Sequence, residues 1–470
     1  MTIDAGWVSM LKSKVPGAFT ANCPVRPNVV FIDGQIKLMK SDAIRSWGSF
    51  VEFQFKRTVD IAFKTGARVV VLGFDNYVHV PTAKNMTQRK RMQDVQALEF
   101  TAESELPNAI PENWNAAIKN RVFKTKVIGL VMRSLRAKFE HEAGGTLILD
   151  YMGAPEVLGR PLKLPSMFQL PPSPEDKESI QSTETVLKRG ECDIKAFSWA
   201  DLGPLLIEST DGDFVALGLL QTHTTRRIIL HRIKTNLKIP GSAPPIAKPK
   251  REFEYVDVTM LHEFLRRDEH LSLTAPVAMD IDDIDDTVAP ADTTVEVVVT
   301  EAPKTPKTPT KADPVAAFAA LVAMTGCDFC MNLPMLGPTR LWGLRQHAKH
   351  LDMSSERGQL VFITLVLADV NAKALKKAGQ HSAICKRALR SSTAVEAAET
   401  YHLLHTTMLR QTTVAERTRK SLWSRARMRA HVRNTMWTMQ YWRRLHEFED
   451  PLAGDNGFER HKNHVIFSGC

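Results

Sequence analysis

The sequence predicts an α/β protein whose sheet is largely parallel and covered by helices on both faces. Three observations predict it. Continuous apolar, β-branched runs at 28–34, 67–75 ("ARVVVLGFD") and 146–152 ("TLILDYM") read as strands buried on both sides. Stretches with helical periodicity separate them. The first two runs end in an aspartate, Asp33 and Asp75, where an open parallel sheet gathers its ligand groups. With 470 residues, 43% of them hydrophobic, the chain is long enough for a large domain with insertions or for two to three domains.

Taken in order, the strand ending in Asp33 is followed by an amphipathic helix over 41–65 and the strand over 67–75. Residues 84–140 are polar and mostly helical in pattern, with breaks at Pro107 and Pro111. After the 146–152 strand, 154–176 is proline-rich and reads as loop. "GECDIKAFSWADLG" at 190–203 opens a helix, "PLLIEST" at 204–210 is a strand, and "TRRIILHRI" at 225–233 reads as an edge strand. A loop over 239–250 follows. Residues 272–313 are rich in Asp, Thr and Pro and predict a disordered insertion. Order resumes with "PVAAFAALVAM", and beyond about 340 the chain is helical and basic, with no internal repeat.

Lys and Arg outnumber Asp and Glu by 62 to 52, a net charge of +10. Residues 279–301 alone hold eight acidic residues and no Lys or Arg, so the rest of the chain carries +18. That surplus points to a polyanion, nucleic acid ahead of a membrane surface. The first residues lack the apolar core of a secretory signal, and no apolar run is long enough to cross a bilayer. Six cysteines do not make a disulfide scaffold, which fits an intracellular location, and "KPKR" at 248–251 favours the nucleus over the cytoplasm.

The acids at predicted strand ends and adjoining turns form a series: Asp33, Asp75, Glu191 with Asp193, Asp211 with Asp213, and Asp328. Singly, each reads as a helix cap or turn residue. Together at one end of a sheet, seven carboxylates repel unless cations lie among them. Hard oxygen ligands suit Mg²⁺ or Mn²⁺, and two such ions can activate water and stabilise the leaving oxygen of a phosphodiester. A nucleic-acid scaffold without catalysis gains nothing from a negative crevice.

The motifs in this order resemble the superfamily of flap endonucleases, XPG-type nucleases and Xrn-type 5′→3′ exoribonucleases. "FIDG", "LGFD", "GECDIKA", "STDGDFVALG" and "TGCDFCMNLPMLGPTR" resemble its successive motifs over roughly residues 5–350, with Asp193 replacing a Glu. The resemblance implies a PIN-like core (1–271) with a helical arch (84–140) and the 272–313 insertion. The core's last motif and a helix–hairpin–helix would lie at 314–350, ahead of a helical extension at 351–470. It implies two Mg²⁺ ions, replaceable by Mn²⁺, on the seven carboxylates, and a likeness to monomeric enzymes. In the arch, Lys84, Gln88 and Arg91 fall on one helix face. By resemblance, Lys84 and Arg91 are catalytic, facing the scissile phosphate of flapped DNA or the 5′-phosphate of RNA. Gln88, Arg89, Gly337, Pro338 and Arg340 contact nucleic acid. Met335 stands where flap endonucleases usually carry glycine, and the C-terminal region shows no sliding-clamp motif. A structure-specific DNA nuclease is the first expectation, and a 5′→3′ exoribonuclease or mRNA-cleaving endonuclease the second.

Two further patterns carry alternatives. Cys327-x₂-Cys330 with His381-x₃-Cys385 has the residue types of a zinc site. The Arg- and Trp-rich stretch 419–444 reads either as a nucleic-acid-binding helix or as a core helix with basic edges.

Overall fold

The computed structural model describes residues 5–34, 38, 43–75, 105–139, 145–151, 155–164, 192–209, 213–221, 227–233, 253–268, 271, 313–326, 330, 333, 336–349, 351–410, 423–443, 455–461 and 464–467. Eight strands form one mixed sheet: β1 (Phe19–Thr20), β2 (Val29–Asp33), β3 (Val69–Gly73), β4 (Thr146–Asp150), β5 (Glu156–Gly159), β6 (Leu205–Glu208), β7 (Ile228–Ile233) and β8 (Phe253–Asp257). Their order is β1-β8-β7-β6-β2-β3-β4-β5. The five central strands, β7 to β4, run parallel, while β5, β8 and β1 add antiparallel margins.

Every residue of β2, β3 and β4 is buried, as a strand covered on both faces requires. Val30, Ile32, Val70, Leu72, Leu147 and Leu149 pack beneath the helices Trp47–Thr65 and Arg121–Phe139. The alternate residues, Val29, Phe31, Val69, Val71 and Ile148, face the opposite helical layer. The Trp47–Thr65 helix starts where the Ser46 side chain accepts the Ser49 N–H (3.2 Å) and stops at Gly66, whose φ of 64° is left-handed.

At the centre of the second layer, the helix Pro314–Met324 is buried throughout from Val315 to Met324. It begins at Asp313, whose carboxylate accepts the Val315 N–H at 3.0 Å. Trp7, from the helix Ala5–Lys14, meets Phe318 edge to face and donates to the Thr325 hydroxyl at 2.8 Å. The C-terminal helix Arg425–Arg443 packs on this same helix. The Gln221 amide donates to the Trp442 carbonyl at 2.5 Å, and Arg443 pairs with Asp313 at 3.3 Å. The basic extension therefore shares one hydrophobic core with the sheet.

Three sequence readings are corrected, and one pair of alternatives is resolved. The edge strand expected over 225–233 contains β7, which is interior, paired with β6 and with β8. Its polar side chains face partners on β8, His231 stacking on Tyr255 at 4.5 Å and Arg232 lying 4.0 Å from Glu254. The region assigned to loop over 154–176 contains β5, a short antiparallel edge. The helix expected over 41–65 starts later, at Trp47. Within 419–444, Trp437 and Trp442 are buried in the core, and Arg429 and Arg433 bind Glu356 at 2.7 and 3.2 Å, which makes this a core helix with basic edges. Among the described residues, no helix is long and apolar enough to cross a membrane.

Candidate active site

The parallel strands change direction of growth at β2. From β2 the chain builds outward through β3 and β4 on one side, and then through β6 and β7 on the other. The carboxyl ends of β2 and β6 therefore flank the switch point at which open α/β sheets place their crevice. Asp33 ends β2, and Ser209 directly follows β6. The Ser209 hydroxyl donates to Asp33 Oδ2 at 3.1 Å and so bridges the switch point.

The register sets three neighbouring strand ends level. Asp33 pairs with Gly73, and Gly73 pairs with Asp150. All three face the layer that holds the helix Cys192–Ser198. Gly73 is required here, because a Cβ would run into the Phe31 ring and stand 3.2 Å from Cys192 Sγ. Through that gap Cys192 lies on the sheet, its thiol donating to the Gly73 carbonyl at 3.3 Å. Its backbone N–H donates to Asp75 Oδ1 at 2.8 Å. Asp33 and Asp75 are each only 7% exposed.

Cys192 reports the electrostatics of this corner. Burial pushes its thiol well above the ordinary range, and the charges of Asp33, Asp75 and Asp193 push it further, with Lys195 opposing them. Three of the expected metal ligands therefore act on one buried thiol. Tyr151, beside them, is also raised, by burial first and by Asp75 in addition.

Asp150 is a strand-end acid that the sequence reading did not single out, although "TLILD" ends as "VVFID" does. Lys195, 3% exposed, pairs with Asp150 Oδ1 at 3.3 Å and donates to the carbonyls of Tyr151 (2.8 Å) and Phe74 (3.2 Å). The Trp199 indole N–H donates to Asp150 Oδ2 at 3.3 Å. Asp150 is thus held in a structural ion pair. The available signal was the Lys two residues after Asp193, in a motif otherwise read for its acids.

The other expected residues fall as follows. Lys84, Gln88, Arg89, Arg91, Glu191, Asp211 and Asp328 lie outside the described residues, and Asp213 is described only as the first residue of the helix Asp213–Gln221. Gly337 and Pro338 open the short helix Pro338–Gly343, which carries Arg340 on its exposed side. Gly337 has φ −88°, and a Cβ there would meet nothing within 4 Å. Cys327 lies outside the described residues, and Cys330 does not assemble with His381 and Cys385. Cys330 lies 3.1 Å from the Thr438 hydroxyl, whereas His381 contacts Asp369 at 3.3 Å.

The donor chemistry of Asp33, Asp75 and Asp193 fits a hard divalent cation. Among the described residues, however, no three His, Cys, Asp or Glu side chains stand close enough to hold a metal by themselves. No family model matches the chain, and no curated protein is significantly similar to it.

Proposed function

We propose that the chain is a Mg²⁺-dependent 5′ nuclease with a PIN-like core, cutting phosphodiester bonds in flapped or branched DNA. The observation that carries the reading is the set of Asp33, Asp75 and Asp193 around Cys192 at the switch point of the sheet. Asp33 and Asp75 are each 7% exposed, and burying two acids at one corner of a sheet is costly unless a cation balances them. Glu191, Asp211, Asp213 and Asp328 are the sequence neighbours that would complete an ion-binding set. A bound ion would supply a hydroxide nucleophile and neutralise charge on the departing oxygen. Ser209 and the Cys192 amide hold Asp33 and Asp75 in position for that role. The +18 charge outside 279–301 supplies the attraction for a polyanion, and a nuclear site of action follows from "KPKR" at 248–251.

The test is cleavage of matched 5′-flap DNA and 5′-phosphorylated RNA by the full chain, with Mg²⁺ and with EDTA. Flap cutting that stops in EDTA is expected. A 5′-phosphate requirement on RNA without flap cutting would move the chain to the exoribonuclease reading. Cutting that persists in EDTA would end the metal account.

A further inference from the structure

We infer that the two short helices Ala372–Lys377 and His381–Arg390 form a second nucleic-acid contact, a basic surface that grips phosphate backbone away from the carboxylate crevice. The partner's chemistry rests on the proposed nuclease reading. Residues 370–395 contain six Lys and Arg and no Asp or Glu. Both helices turn their apolar residues inward, Leu375 on one, Ile384 and Ala388 on the other, and pack along the helix Glu356–Val370. Lys373, Lys376 and Lys377 follow i, i+3, i+4 spacing and share an outer face, as Lys386 and Arg390 do. Lys373, Lys376, Lys377 and Arg390 are exposed, and Lys386 is half-exposed.

The nearby acids are already engaged. Asp369 is clasped by two histidines, His347 at 2.7 Å and His381 at 3.3 Å. Glu396 caps its own helix, accepting the Ser392 N–H at 2.6 Å and the Ser392 hydroxyl at 2.9 Å. Glu399 stands 3.9 Å from Arg387. Lys373, Lys376, Lys377, Lys386 and Arg390 make no ion pair among the described residues. Five like charges gathered on about 20 residues repel one another, and a phosphate backbone relieves that repulsion by releasing its counterions. A membrane surface fits less well. An interfacial helix needs an outward apolar face, and here that face lies in the core, leaving Leu389 as the exposed large apolar residue of the two helices. The His347–Asp369–His381 clasp also ties this surface to the turn after the Arg340 helix.

The experiment compares the full chain with two variants in EDTA, which suppresses cleavage, using a fluorescent 30-base-pair duplex over a NaCl series. One variant is K373Q/K376Q/K377Q/K386Q/R390Q. The other, K14Q/R45Q/K64Q/K119Q/K163Q, removes equal charge from exposed sites elsewhere. Thermal melting checks that both fold. The patch variant should lose at least tenfold in Kd at 100 mM salt, and its log–log salt slope should fall by about 3–4. The control should lose about threefold or less. Equal losses in the two variants would overturn the surface while leaving the cleavage reading standing. Patch-dependent binding by a chain that cleaves nothing would keep the surface and end the nuclease reading. Loss of binding to phosphatidylserine vesicles with duplex binding intact would overturn it in favour of a membrane.

Discussion

The ends of β2 and β4 carry the same residue at the same level of one sheet, two strands apart, and the fold treats them differently. Asp150, closing β4, receives the Lys195 ammonium and the Trp199 indole. Asp33, closing β2, receives the Ser209 hydroxyl, and its neighbour Asp75 receives a backbone amide. A hydroxyl and an amide orient a carboxylate and leave its charge in place, whereas a buried lysine cancels it. The difference separates a carboxylate that a buried ammonium ties to a helix from carboxylates oriented by a hydroxyl and a backbone amide. It depends on one cation, Lys195, placed two residues beyond Asp193 on the same helix.

The largest effect tests the β2 side. Asp33→Ala or Asp75→Ala should lower Mg²⁺-dependent cleavage by roughly 10³-fold or more, the scale of losing a metal's contribution to the reaction. Duplex affinity should hold or tighten, since a negative charge is removed. Asp150→Asn, assayed on the folded fraction, should keep most of the activity. If Asp150→Asn fell as far as Asp33→Ala with its fold intact, the distinction between the two strand ends would fail.

Stability tests the β4 side. Lys195→Met leaves the Asp150 carboxyl 3% exposed and without its ammonium. Removing one partner of a buried pair costs about 3–5 kcal/mol, which urea unfolding would register. Adding Asp150→Leu should recover much of the loss, because the pair is then replaced by apolar volume. A single mutant as stable as the wild type would show that the pair contributes nothing.

The contrast between these ends was half legible in the sequence. Asp33 and Asp75 stood out because each closes an unbroken apolar run, and that periodicity is also what buries the strand. Asp150 closes such a run as well, but its fate depends on Lys195, 45 positions away, and no local pattern states which acid a lysine will meet. The misreading of β7 has the same origin. The partners of Arg232 and His231, Glu254 and Tyr255, lie on β8, distant in the chain. The Arg425–Arg443 helix left two readings open for the same reason, since its anchors, Gln221 and Pro314–Met324, are distant in the chain.

Cys192 sharpens the comparison by measuring the charge on the β2 side. Its thiol is raised by burial and then by Asp33, Asp75 and Asp193. In the folded chain it therefore keeps its proton where an unfolded cysteine, near 8.5, loses it. Above that value the unfolded state binds fewer protons than the native state, so stability is full below it and declines as pH rises. Native-state alkylation followed by peptide mass spectrometry should find Cys192 inert at pH 8.5. Asp33→Asn should make it several-fold more reactive, and Lys195→Met less. An Asp33→Asn variant with an unchanged profile would remove Asp33 from the thiol's surroundings.

Gly337 puts the smallest question, whether the proposed duplex contact at this helix start depends on backbone alone. Its φ of −88° suits any residue, and open space surrounds the position of a Cβ. Gly337→Ala gains about as much by restricting the unfolded chain as it loses at a helix start, so stability should change by less than about 0.5 kcal/mol. The fold makes no demand for glycine there, which leaves an approaching duplex as the source of one. If main-chain N–H groups at Gly337 lie against duplex phosphates, the added methyl should raise Kd for flapped DNA several-fold. Affinity for a 5′-phosphorylated single strand should stay the same, because that substrate brings no duplex to the proposed contact. Equal affinities for both substrates in wild type and variant would remove Gly337 from the interface and leave duplex binding to the lysines of 373–386.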